Sequence, residues 1–169
     1  MLIEVIFRNH PMAKKINVQV SLDLIEPQDW SEMEKELISR AKTAAERAHA
    51  PYSNFLVGAS LLLENGAIFE GNNQENVSFP VGVCAERSLL SFVVGNFPNV
   101  RPLKLAIAAK KREGASYAFV TPCGSCRQTI NEYEIMFGKP IEILMLHENG
   151  SILRASSIKE LLPFSFDSF

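Results

Sequence analysis

The chain has 169 residues, 47% of them hydrophobic, and a net charge of -2, which suits one domain with a substantial core rather than two. Lys and Arg are scattered apart from Lys110-Lys111-Arg112, so there is no basic stripe to hold a nucleic-acid backbone. No apolar run approaches the roughly 20 residues of a membrane span.

The stretch Met1 to Phe7 is apolar, but Glu4 interrupts it and no basic residue precedes it, so it does not read as a secretory signal. Met12 heads an alternative start, which would make residues 1–11 an upstream extension. Three cysteines cannot all pair within one chain, and reduced thiols in a cytoplasmic protein are the expectation. Ile16 to Leu24 alternates apolar and polar, predicting a half-exposed edge strand that Glu26-Pro27 ends. Ser31-Glu-Met-Glu34 is a capping box, because hydroxyl and carboxylate can each satisfy an orphan amide. The helix it opens runs to about Ala48 on an apolar face of Leu37, Ile38, Ala41, Ala44, Ala45 and Ala48. Pro51 stops it.

Phe55 to Leu63 suits a buried strand. Glu64-Asn65-Gly66 is a turn, and Ala67 to Gly71 returns as the next strand. Asn72 to Pro80 is a polar loop. Cys84 to about Val94 predicts a helix closed by Gly95-Asn96. Leu103 to Ala109 is a strand. Pro122 suits the first turn of a helix running to Met136 or Phe137. Ile141 to Leu146 is another strand, Ser151 to Arg154 a last one, and Ser157 to Leu162 a short helix. This alternation predicts an α/β fold, three-layer α/β/α with one mixed sheet and an N-terminal edge strand. Residues 1–30 then form an extension and residues 31–169 a single domain.

Every cysteine lies in one of two motifs, Val83-Cys-Ala-Glu-Arg87 and Thr121-Pro-Cys-Gly-Ser-Cys-Arg-Gln128. Cys123 and Cys126, three apart on the first turn of a helix, share a face and can grip one metal. Cys84 must join them from the start of another helix. Helix N-termini favour thiolates. A closed structural zinc site takes four ligands, whereas three leave the fourth position open for water or substrate. Glu86 would face away from Cys84 in mid-helix. Near a helix start it can swing beside the open position and accept a proton from water there. Three thiolates leave zinc with a formal charge of -1, which the helix dipoles help offset. Arg87 and Arg127 are candidates to do more by hydrogen-bonding the sulfurs. A CxxC alone would serve redox or structural zinc equally well; the joint pattern with no fourth Cys points to catalytic zinc. His10, His49 and His147 lie far from both motifs and read as surface or core residues.

At these residues the chain resembles the small, three-cysteine, homotetrameric cytidine deaminases. The resemblance runs from about Leu37 to Phe166, through Pro51 to Ala59, Gly71 to Asn76, Cys84 to Arg87, Pro122 to Gln128 and Leu161 to Phe166. Cys-Ala-Glu with Pro-Cys-x-x-Cys is the signature of zinc nucleobase deaminases. The resemblance implies one Zn²⁺ per subunit on Cys84, Cys123 and Cys126, with Glu86 moving protons from water to ring N3 and then to the departing amine. It places Asn73 and Glu75 on the sugar and Phe55 near the pyrimidine. The backbone around Ala85 and Cys84 and the carbonyl of Thr121 would meet the base edge, and Phe166 would reach a neighbouring subunit's substrate.

The expected reaction is hydrolytic deamination of cytidine and 2′-deoxycytidine to uridine and 2′-deoxyuridine with release of ammonia, in pyrimidine salvage. The expected partners are a small nucleoside and three further copies of the chain, with no nucleic acid and no membrane. A blasticidin-type aminonucleoside deaminase shares the metal motifs and is the nearest alternative; a non-catalytic zinc-stabilised module is another. Val77 and Phe79 depart from the family, where smaller residues and a tyrosine are common. The segment from Lys111 to Val120 is uninformative.

Overall fold

Ser31 opens the first helix through a reciprocal cap. Its Oγ accepts from the Glu34 N–H at 3.3 Å, and the Glu34 carboxylate accepts from the Ser31 N–H at 2.7 Å. This computed structural model describes residues 15–167. The apolar start, Met12 and His10 lie outside the described residues. Helix α1 spans Glu32–Glu46 and buries Leu37, Ile38, Ala41, Ala44 and Ala45, as the spacing of its apolar positions requires.

The chain then folds into strands β1 (Asp23–Ile25), β2 (Phe55–Leu63), β3 (Ile68–Asn72), β4 (Pro102–Lys111), β5 (Tyr117–Ala118), β6 (Glu142–Leu146) and β7 (Ile152–Ala155). Helices α2 (Ala85–Asn96) and α3 (Gly124–Phe137) complete it. The seven strands form one mixed sheet in the order β1-β7-β6-β4-β2-β3, with β5 on β4. Among the described residues only strands β4 and β6, joined through α3, run parallel; the other strand pairs are antiparallel.

Both faces of the sheet are covered, and the two-residue period of the strands shows why. On β4, Leu105 and Ile107 turn to α2 and α3, while Ala106 and Ala108 turn to α1. Leu37, Ile38 and Ala41 of α1 pack on Leu62, Leu144 and Leu146. Leu89, Leu90 and Val93 of α2 and Ile130 of α3 pack on Leu61, Leu63 and Ile143. A β-carbon on Gly58 would collide with the Ala41 carbonyl oxygen and the Ala45 amide of α1, so this bare position sets how closely α1 lies on the sheet. Gly71 does the same for α2, where a β-carbon would stand 2.7 Å from Leu89 Cβ. Close seating of α2 brings its N-terminus beside that of α3.

Three sequence expectations need correction. The strand over Ile16 to Leu24 is confined to Asp23–Ile25, with residues 15–22 irregular. Its partner among the described residues, β7, is four residues long and pairs with just those three; Ile16, Val18 and Val20 are exposed. The helix over Ser157 to Leu162 is a single 3-10 turn, Ile158–Glu160. Pro122 precedes the α3 cap, which is Cys123. The turn at Asn65-Gly66 forms as expected, with Gly66 taking φ +84°.

Candidate metal centre

Cys84 is the N-cap residue of α2 and Cys123 that of α3; neither side chain caps its own helix. Their sulfurs therefore remain free to face each other across the junction of the two helices. Cys84 Sγ lies 3.8 Å from Cys123 Sγ, and Cys123 Sγ lies 3.4 Å from Cys126 Sγ. All three sulfurs fall within 4.8 Å of one another. Tetrahedral zinc with Zn–S bonds of about 2.3 Å holds sulfurs about 3.8 Å apart, so the donor set fits that ion. Among the described residues no fourth His, Cys, Asp or Glu joins the group.

Within this donor set the electrostatics favour a thiolate at Cys84. The Cys84 thiol is lowered to about 6 by hydrogen bonds from Cys126 and Cys123 and by the charge of Arg87, against a burial penalty. Cys126 is pushed up by its hydrogen bond to Cys84 and by burial. Glu86, on the first turn of α2, is only 5% exposed. Burial raises its pKa, and the neighbouring Cys84 charge raises it further.

Glu86, Cys84 and Cys123 open together on a cavity of about 220 Å³. Phe55, Asn73 and Thr121 line the same cavity, with Val57 and Val120. Asn73 and Cys84 also line an adjoining cavity of about 480 Å³, whose wall includes Glu75, Tyr52 and Phe79. The Asn73 amide is clamped between strand groups: Oδ1 accepts from the Val57 N–H at 2.8 Å and Nδ2 donates to the Phe55 carbonyl at 3.0 Å. The hydroxyl and N–H of Ser53 and the N–H of Tyr52 hold the Glu75 carboxyl below its usual range.

Ala85 is fully buried at the start of α2. Phe166 lines neither cavity; it is 63% exposed, and its carbonyl accepts from Gln128 Nε2 at 2.6 Å. The arginines divide. Arg87 acts on Cys84 through its charge. Arg127 donates to the Pro122 and Leu161 carbonyls, both at 2.7 Å, and to Thr121 Oγ1 at 2.9 Å. It thus ties the loop that carries Thr121 and Cys123 to the C-terminal segment, rather than bonding a sulfur. Sequence reasoning missed Val120 as a cavity wall, although its place beside Thr121 was a usable signal. It also missed Gln128 as the anchor of Phe166, for which spacing offered none.

A trio of sulfurs at paired helix starts, with a buried carboxylate at the opening, defines a catalytic metal site of the zinc deaminase class. The model of the cytidine and deoxycytidylate deaminase zinc-binding region matches residues 31–137, and the chain belongs to that family. It is 36% identical over 132 residues to a cytidine deaminase of Sporosarcina psychrophila, covering 78% of this chain and 90% of the relative. It is equally similar, over 136 residues, to a probable cytidine deaminase of Dictyostelium discoideum, covering 80% and 84%. The crystal structure of cytidine deaminase from Burkholderia pseudomallei superposes with a TM-score of 0.64 at 35% identity, covering 78% of this chain and 98% of that one. Zinc is the cofactor that this family and this donor set share.

Proposed function

We propose that this protein hydrolyses the exocyclic amine of cytidine and 2′-deoxycytidine, giving uridine or 2′-deoxyuridine and ammonia. The observation that carries the reading is the buried Glu86 carboxylate opening on the same small cavity as Cys84 and Cys123. Cys84, Cys123 and Cys126 hold zinc, which when bound supplies the Lewis acidity that makes water a competent nucleophile near neutral pH. Glu86, its proton affinity raised by burial, takes a proton from water, passes it to ring N3 and then delivers one to the departing amine.

The base occupies the smaller cavity against Phe55, with its edge read by backbone around Cys84, Ala85 and Thr121. The sugar lies in the adjoining cavity, where Glu75 and Asn73 meet its hydroxyls. A site built to hydrogen-bond a sugar selects a nucleoside over a free base, and this favours cytidine over a blasticidin-type substrate. Arg87 steadies the thiolate charge and Arg127 the loop. Phe166 completes the site of a neighbouring copy in a homotetramer. Residues 31–169 are the catalytic unit, working in pyrimidine salvage in the cytoplasm. No helix among the described residues is long and apolar enough to cross a membrane.

The test is the absorbance change on mixing the zinc-loaded protein with cytidine, beside Glu86→Gln of equal zinc content. The wild type converts cytidine, and the variant is slower by about 10²–10⁴-fold, the usual worth of a positioned proton carrier. Equal rates would remove Glu86 from the mechanism. No conversion by either would move the substrate to another aminated nucleoside.

A further inference from the structure

One short turn borders both cavities of the site. Tyr52 and Ser53 line the larger cavity with Glu75, and Phe55 lines the smaller one. Asn54, between them, takes φ +54°, a left-handed conformation that Asn tolerates better than most side chains. Its N–H donates to the Ala50 carbonyl at 3.1 Å, and its carbonyl accepts from the Arg112 N–H at 2.8 Å. The facing loop is fixed as well. The His49 carbonyl accepts from the Glu75 N–H at 2.8 Å, and the His49 N–H donates to the Asn73 carbonyl at 3.1 Å. The backbones that carry Ser53 and Glu75 are therefore set before a ligand arrives.

Ser53 joins the two sides with one hydroxyl. Its Oγ accepts from the Phe55 N–H at 3.0 Å and donates to the Glu75 carboxylate. The same carboxylate accepts from the N–H groups of Tyr52, at 2.8 Å, and Ser53, at 3.3 Å. These three protein donors favour its ionised form, and an ionised carboxylate only accepts; with about four lone-pair sites it keeps room for a donor from a ligand. A hydrogen-bond chain thus runs from the backbone of Phe55, at the base cavity, through Ser53 Oγ to Glu75, at the sugar cavity. It fixes the span between ring and carboxylate. A hydroxyl attached to the sugar ring itself stands at a set distance from the base, whereas the 5′-hydroxyl turns on an extra bond. The 2′-hydroxyl is missing from one of the two proposed substrates, which leaves the 3′-hydroxyl.

We propose that Ser53 is a positioning residue, which sets Glu75 to read the 3′-hydroxyl of a nucleoside whose base lies against Phe55. This role rests on the reading of Glu75 as a group that meets the sugar. Without the Ser53 hydroxyl the carboxylate keeps its two backbone donors but loses its link to Phe55. The sugar contact then weakens through misplacement, while the proton transfers at the metal are untouched.

Steady-state kinetics of the zinc-loaded protein on 2′-deoxycytidine and 2′,3′-dideoxycytidine, which differ in the 3′-hydroxyl alone, decide the matter. Ser53→Ala should raise KM for 2′-deoxycytidine about five- to tenfold with kcat unchanged, less than the loss of a whole hydrogen bond to a charged group. KM for 2′,3′-dideoxycytidine should not move, so the preference for the 3′-hydroxyl shrinks by the same factor. Ser53→Thr, which keeps the hydroxyl, should restore it. Adding Ser53→Ala to Glu75→Gln should cost nothing further, because both act on one contact. Equal losses on the two nucleosides, or a Thr variant as impaired as the Ala variant, would overturn the role of Ser53. A preference lost in Glu75→Gln yet intact in Ser53→Ala would overturn that role and leave the sugar reading of Glu75 standing. A preference intact in Glu75→Gln would overturn both.

Discussion

Asn73 shows how one side chain serves fold and site together. Its amide bridges the Val57 N–H and the Phe55 carbonyl, so it pins the start of β2, and with it Phe55, against the mouth of the metal centre. Its carbonyl and amide ends are both engaged before any substrate arrives, yet each keeps one further lone pair or N–H for a sugar hydroxyl. Asn73→Ala should therefore cost stability as well as binding. Leaving two part-buried backbone groups unpaired is worth about 1–3 kcal/mol, read as an earlier urea midpoint, and KM for cytidine should rise alongside. A raised KM with an unchanged midpoint would mean that the clamp contributes nothing to the fold. The residue's role was not legible from its type: an Asn in a polar loop is ordinary, and only the resemblance singled out Asn73 and Glu75. The cysteines were legible because metal chemistry demands a particular atom at a particular spacing. The task taken by Arg127 was not, because its three acceptors are carbonyls and a hydroxyl that any sequence can supply at a distance.

Among the elements, α1 is the one whose start and buried face were most readable, since the capping box and the apolar stripe are both local; its end falls at Glu46, two residues short of the expected Ala48. Its cap also sets a pH dependence. Burial raises the Glu34 pKa, but hydrogen bonds from the Ser31 side chain and N–H, helped by Lys104 and Arg154, outweigh it and hold the carboxyl below its ordinary range. A carboxyl lowered on folding contributes stability that is present above its unfolded pKa and is lost as pH falls through its lower folded pKa. Ser31→Ala should cost about 1 kcal/mol at pH 7, and the gap from the wild type should narrow below pH 4 in parallel thermal melts. A gap that stays constant from pH 7 to pH 3 would show that Glu34 does not depend on Ser31 for its ionisation. Strand β2 was also found to the residue, because a continuous apolar run flanked by turns admits few other readings. The two-residue β5 was not found. Its existence rests on Ala109 and Lys110 of β4 offering an edge beyond the reach of β6, a tertiary fact with no local signal. The overlong first strand failed for the converse reason: alternation promises a strand only where a partner is long enough to pair with it.

For the whole molecule, the apolar surface near the larger cavity is the feature a single chain leaves unexplained. Val77, Phe79 and Val81 are 79%, 74% and 64% exposed, and Phe79 stacks edge-on against the half-exposed Tyr52 at the cavity wall. Phe164 and Phe166 of the C-terminal segment are 71% and 63% exposed. Exposed large hydrophobics grouped as Val77, Phe79 and Val81 are suit an association surface, and the chain's low net charge does little to oppose contact between copies. If the proposed homotetramer forms, sedimentation should give a mass about four times the 18.8 kDa of the chain. Phe79→Asp should shift that mass downward, since a charge would then be buried at the contact. Phe166→Ala should leave the assembly intact and raise KM for cytidine about tenfold, the effect of truncating an aromatic anchor worth about 1–2 kcal/mol. A particle of one chain mass that keeps full activity at every dilution would show that each subunit's site is complete on its own.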